Sequence, residues 1–171
     1  MKTRLVMLAL ALLVAGTAAG SVHAQTDDDD NDLSGGALAA NMGTWKLNEK
    51  RSHIAKGGAK NHTVTYEKAG DMDSVKVTVD GTDATGNSTH SEWTGKVNGV
   101  YYAVNGDPLS DMRMYDRVNK RTLSITGKKD GKVVMTGTIA VSPNGKTRTV
   151  TTRVLNAQGT WSTTTAVYDK Q

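Results

Sequence analysis

Few residues in this chain are of the types that do chemistry, and their spacing limits what they could do. Cysteine is absent, which removes thiol nucleophiles, thiolate metal ligands and disulfides together. Beyond position 24, histidine occurs at His53, His62 and His90, with no pair at the close spacing of a helix-borne zinc motif. His90 and Glu92 share one strand face by alternation and could hold a metal with a third ligand, yet beside Trp93 they read better as a solvated polar face. Serine and threonine are plentiful, but none sits in a Gly-x-Ser-x-Gly elbow, so their hydroxyls read as strand formers. The expectation is a protein with no catalytic residue, no metal and no cofactor.

Binding is easier to motivate than catalysis. Arg113, Tyr115 and Arg117 alternate along one face of a strand and could grip an anion with bidentate geometry. Met112 and Met114 take the opposite face, and as the apolar pair they are the natural inward side. That choice sends the arginines to solvent, and Arg153 follows them against inward Val150, Thr152 and Val154. The candidate contacts of a small, partly apolar ligand are then Trp93, Met112, Met114 and Tyr168.

The elements that must position these residues are strands. Phe is absent, Thr and Val are abundant, and β-branched side chains suit a pleated surface better than a helix. Period-2 runs recur at about 43–48, 62–68, 73–80, 88–96, 99–104, 112–118, 121–127, 132–141, 147–155 and 160–169. Asp80-Gly81, Asn98-Gly99, Asp130-Gly131, Asn144-Gly145 and Gln158-Gly159 punctuate them with hairpin chemistry. Short links predict an antiparallel up-and-down meander of about ten strands. Such a meander removes its two open edges by closing into a barrel, with a two-sheet sandwich as the rival. The connection from Glu49 to Asn61 is the long one, with room for a loop or one helical turn.

The amino-terminal part is of another kind. Residues 1–24 carry Lys2 and Arg4, an apolar run and a small-residue end at Val22-His23-Ala24, the pattern of a secretory signal peptide. The apolar run is short against the roughly 20 residues of a spanning helix, so the mature form is expected to have no membrane span. Export to a periplasm or the medium follows, with cleavage before Gln25. Residues 25–41 read as an acidic, Gly/Ala-rich linker, and the domain proper as residues 42–171. Aspartates 27 to 30 and Asp32 lack the ligand spacing of a calcium loop.

Charge supports no nucleic-acid role. The whole chain has 21 Lys+Arg against 17 Asp+Glu; without Lys2, Arg4 and the five linker aspartates the balance is 19 against 12. That is a mild basic bias favouring anionic ligands, but the basic residues are scattered and no aromatic-studded motif accompanies them.

The two ends of the domain carry a resemblance. "GTWKLN" at Gly43–Asn48 and "AVYDKQ" at the carboxyl end resemble the first and last strands of the calycin barrels, the lipocalins and intracellular fatty-acid-binding proteins. The stretches "GKVNGVYYAVNGDP", "KKDGKVV", "SPNGKTRTVT" and "NAQG" are similar to an uncharacterised exported bacterial lipocalin-like family. The resemblance implies that Gly43 and Trp45 close one end of the barrel. It also implies that Tyr168 points inward with Ala166, Thr164 and Ser162, Ala166 standing where the fatty-acid carriers have the arginine of a carboxylate clamp. Hydrophobic alternation puts Trp161 and Val167 inward instead, and the two readings differ by one residue of register.

The expectation from sequence is therefore a non-catalytic barrel that binds or carries a small apolar or amphipathic ligand. A second reading is a protein-interaction or inhibitor module of the cell envelope working through hairpin loops such as Asp107–Asp111. An apolar void separates the first from the second, whose interior would be filled by Val, Met, Ile and Leu.

Overall fold

The computed structural model describes residues 33–55, 58–70, 74–156 and 159–171. The expected signal peptide and linker aspartates lie outside these residues. The chain runs α1 (Leu33–Asn41), β1 (Gly43–Leu47), β2 (Lys60–Lys68), β3 (Ser74–Thr82), β4 (Ser88–Lys96), β5 (Tyr101–Asn105), β6 (Met112–Asn119), β7 (Thr122–Lys129), β8 (Lys132–Val141), β9 (Thr147–Leu155) and β10 (Trp161–Lys170). Each strand pairs antiparallel with its sequence neighbours, and β1 pairs with β10, so the sheet is a closed ten-stranded barrel. The sandwich is excluded.

Closure agrees with the expectation from sequence. With hairpin links throughout, each strand finds its partner locally, and joining the first to the last satisfies both edges. The long connection after β1 contains one 3-10 turn, Glu49–Arg51, capped by the Asn48 side chain. It then runs along β10, where the His53 amide donates to the Thr165 carbonyl at 2.7 Å and the Thr165 amide returns 2.9 Å to His53.

One departure concerns residues 33–41, which sequence assigns to the linker. They form α1, whose Ala37 and Asn41 are buried. Gly and Ala carry no pattern that marks an amphipathic helix, yet small residues let it lie close to the β6–β7 turn, within reach of the Lys120 backbone. The indole N–H of Trp45, fully buried, donates to the Asn41 carbonyl at 2.7 Å, and the Asn41 amide donates to the Ala37 carbonyl at 2.8 Å. Helix and tryptophan together stop this end of the barrel. Gly43 joins them with φ of +96°, a left-handed backbone that a side chain would strain.

Candidate functional site

The barrel is not filled. A cavity of about 740 Å³ lies inside it, walled by Val64, Val77, Val79, Ile125, Met135, Ile139, Val150 and Val154. Its mouth is formed by Ile54 and Ala55 of the β1–β2 connection, Asp83 and Ala84 after β3, Pro108 and Leu109 after β5, and Asn156 after β9. These connections all lie at the end opposite α1, because successive hairpins alternate between the two ends of a meander.

The terminal strand resolves its register in favour of the resemblance. Ser162, Thr164, Ala166 and Tyr168 line the cavity, while Trp161 is 38% exposed on the outside. Val167 is nonetheless buried, outside the main apolar cluster, where Asn48–His53 runs along β10 and the Asn48 amide donates to its carbonyl at 2.8 Å. Apolar alternation therefore fails there because an outer segment, not the barrel interior, covers the residue.

Two arginines are buried in the barrel: sequence reasoning sent Arg113 to solvent and did not consider Arg148. Arg148 enters from β9, opposite Tyr168 in the register and two positions before the cavity residue Val150. It is 1% exposed, and its guanidinium lies 5.2 Å from the Trp45 ring, 5.2 Å from Tyr66 and 4.8 Å from Tyr168. Its Nε and one terminal nitrogen have no hydrogen-bond partner. Burial pushes the phenols of Tyr66 and Tyr168 up, and the charge of Arg148 pulls each back down in part. Both rings line the cavity, so its floor is two neutral tyrosines with a cation behind them.

Arg113 enters near the mouth from β6 and is likewise buried. Its guanidinium pairs with Asp107 of the β5–β6 loop, which also accepts from the Ser110 hydroxyl at 2.6 Å and from the Leu109 amide at 2.9 Å. Burial alone would depress the arginine, but Tyr115 and Asp107 beside it hold it above its ordinary value.

The expectation for β6 is thus reversed. Arg113 and Tyr115 line the cavity, whereas Met112 and Met114 alternate onto the other face, half-buried, and are absent from its lining. Alternation could not choose, since both faces carry large side chains with apolar bodies. The β9 pattern was more legible: the inward parity of Val150, Thr152 and Val154, continued two residues back, reaches Arg148. Trp93 is buried in the wall, edge-on to Tyr102 and Tyr115, and donates to the Arg113 carbonyl at 3.2 Å; it does not line the cavity. Of the four candidate ligand contacts, Tyr168 faces the void.

The polar residues considered for chemistry lie elsewhere. His90 is exposed on the outer wall, 2.7 Å from Asp80 and 3.7 Å from Glu92. Its hydrogen bond to Asp80 raises its pKa. Asp83, at the mouth, accepts from the side chains and backbone amides of Thr85 and Asn87, which hold its carboxyl down to about 2. Among the described residues no group of three or more His, Cys, Asp or Glu is placed to hold a metal ion, and no helix is long and apolar enough to cross a membrane.

No family model and no curated protein sequence matches the chain. Solved structures do. A Schistosoma mansoni fatty acid binding protein in complex with arachidonic acid superposes with a TM-score of 0.55 at 15% identity, over 80% of this chain and 99% of that one. A barrel named EF1p2_mFAP2b, bound to DFHBI, matches with a TM-score of 0.48 at 11% identity, over 81% of this chain and 99% of that one. At such identity the likeness is one of fold. The chain has the calycin-type barrel fold seen in the fatty acid binding protein: ten antiparallel strands in a closed meander.

Proposed function

We propose that the protein holds a small, partly apolar ligand inside the barrel without transforming it, and that the ligand carries an acidic group turned toward the closed end. The observation that carries this reading is the apolar cavity of about 740 Å³ with the unpartnered Arg148 behind its tyrosine floor. A cavity of that size suits a compact organic molecule or a folded chain. An isolated buried cation is costly, and a guanidinium does not escape by losing its proton. Three aromatic rings offset part of that cost, on the order of 2 kcal/mol for a desolvated cation–π contact. An acidic ligand group on the floor would offset more, by placing a negative charge in the field of Arg148. The arachidonic acid of the Schistosoma mansoni protein supports an acidic, apolar ligand for this fold. The loop named for the interaction-module reading turns Asp107 and Ser110 inward to Arg113, which supports the ligand reading over it.

Native mass spectrometry of the purified protein, joined to titration with one neutral and one acidic fluorescent probe, tests the reading. A co-purified acid, or binding that favours the acidic probe, supports it. Repeated recovery of empty protein that takes up neither probe sinks it. We also propose that the protein is exported, on the pattern of residues 1–24. Amino-terminal sequencing of the cell-derived protein should begin at Gln25, and an intact leader on the bulk of the protein contradicts export.

A further inference from the structure

We propose that the cavity holds a second polar subsite, made by the hydroxyls of Thr152 and Thr164, and that the ligand is an oxygenated acid: an acidic group on the floor and a hydroxyl or keto oxygen farther along an apolar chain. The proposal rests on the reading that an acidic ligand occupies the barrel, and it concerns which acids are preferred.

The lining of the cavity is uneven around the barrel. β2 and β3 face it with Val64, Val77 and Val79, and β7 and β8 with Ile125, Met135 and Ile139. Hydroxyls enter from β9 and β10, where Thr152 and Thr164 both line the void and stand directly opposite each other in the register. Direct opposition on one face of an antiparallel pair sets two Cβ atoms about 5 Å apart, so a single ligand oxygen can reach both side chains.

Neither hydroxyl is committed to the protein. Among the described residues Thr152 and Thr164 have no side-chain hydrogen bond, whereas their outward neighbours Thr151 and Thr165 lie 3.5 Å from each other. Ser162, the next inward residue toward the mouth, lies 3.5 Å from the Val154 carbonyl. The rungs on either side are bulkier, with Met135 and Val154 toward the mouth and Ile139 and Val150 toward the floor. Between them β8 sets Gly137 opposite Thr152, and a Cβ there would lie 2.3 Å from the Thr151 carbonyl oxygen, so no side chain from β8 shields the threonine. The wall thus has a notch with two free hydroxyls between apolar rungs.

Its position sets what fits. The floor rung pairs Tyr168 with Arg148, and the threonine rung lies four residues nearer the mouth on both strands. At the rise of a β-strand that is about 13 Å. An alkyl chain in the cavity displaces water from the threonines, and a chain that offers no hydrogen bond in return leaves both hydroxyls unpaired. A ligand oxygen at that distance from the acidic group restores the bonds, and a site of this kind discriminates against the analogue that lacks the oxygen.

Isothermal titration calorimetry with decanoic, ω-hydroxydecanoic and α-hydroxydecanoic acids reads the subsite. The ω-hydroxy acid, whose extended chain sets its hydroxyl about that far from the carboxylate, should bind the wild-type protein about tenfold tighter than decanoic acid. In Thr152→Val/Thr164→Val, which keeps the shape of both side chains, that preference should disappear while decanoic acid binds at least as tightly as before. The α-hydroxy acid carries its oxygen at the floor, so its affinity relative to decanoic acid should be the same in both proteins. Equal wild-type affinity for decanoic and ω-hydroxydecanoic acids, or a preference that survives in the double variant, overturns the subsite. Should the double variant not fold, Thr164→Val alone should reduce the preference, and an unchanged preference again overturns the proposal. A wild-type protein that binds none of the three acids defeats the acidic-ligand reading, and the subsite with it.

Discussion

The two ends of the barrel treat a buried arginine in opposite ways. At the mouth, Arg113 meets a carboxylate and a hydroxyl supplied by the protein's own loop, with its Nε left without a partner. At the closed end, Arg148 meets three aromatic faces, and two of its nitrogens have no partner. A paired charge ties chain segments together, and removing one member strands the other. An unpaired charge adds no such tie and is a standing cost unless something else neutralises it. The difference ties the mouth arginine to holding chain segments together, and under the proposed ligand reading it makes the floor arginine the group that would favour an acidic ligand.

The largest expected effect breaks the mouth pair. Asp107→Asn leaves Arg113 buried without its anion and should lower the unfolding free energy by about 3–5 kcal/mol in urea denaturation. Adding Arg113→Met should recover most of that loss, and a single variant within about 1 kcal/mol of wild type means the pair does not anchor the loop. Arg148→Met should act in the other direction. Without a charge to desolvate, the empty protein should gain stability, on the order of 1 kcal/mol, and lose its preference for an acidic over a neutral probe by roughly tenfold or more. If Arg148→Met is strongly destabilising, or the acid preference survives, the two arginines do not differ as described.

Smaller changes sharpen the picture of the closed end. Trp45→Phe keeps a ring beside Arg148 but removes the indole donor to the Asn41 carbonyl, and should lower stability by about 1 kcal/mol in thermal unfolding. No change would mean that α1 is held by apolar contact alone. The least effect belongs to the outer wall. The folded-state pKa of His90 is raised, so its contribution is fully present below the ordinary histidine value and is lost as pH rises through the raised value. NMR titration should show Asp80→Asn bringing His90 back toward its ordinary value, with melting temperature almost unmoved because the group is exposed.

Much of the fold was legible because it is local. Alternation and Asn-Gly or Asp-Gly turns located all ten strands, since a hairpin brings together residues near in sequence. Closure was legible too, through Gly43-Thr44-Trp45 and the terminal strand, whose pairing joins Trp45 to Lys170. The site was read less well. Tyr168 faces the void as the resemblance implied, but Met112 and Met114 do not, and Arg113 does. A buried arginine looks in sequence like an exposed one, because its burial depends on partners far along the chain: Trp45 and Tyr66 for Arg148, and the inward turn of Asp107 for Arg113.

The sequence by itself determined the number of strands and their order, because periodicity and turn residues act over a few positions; the structure decided that the sheet closes as a barrel and not as a sandwich. Only the tertiary structure decided that α1 stoppers one end, that Val167 is covered from outside, and that Arg113 meets a carboxylate while Arg148 meets aromatic faces. Those outcomes depend on which surfaces meet when the sheet closes, and the energy of a buried charge is set by neighbours that no local pattern names.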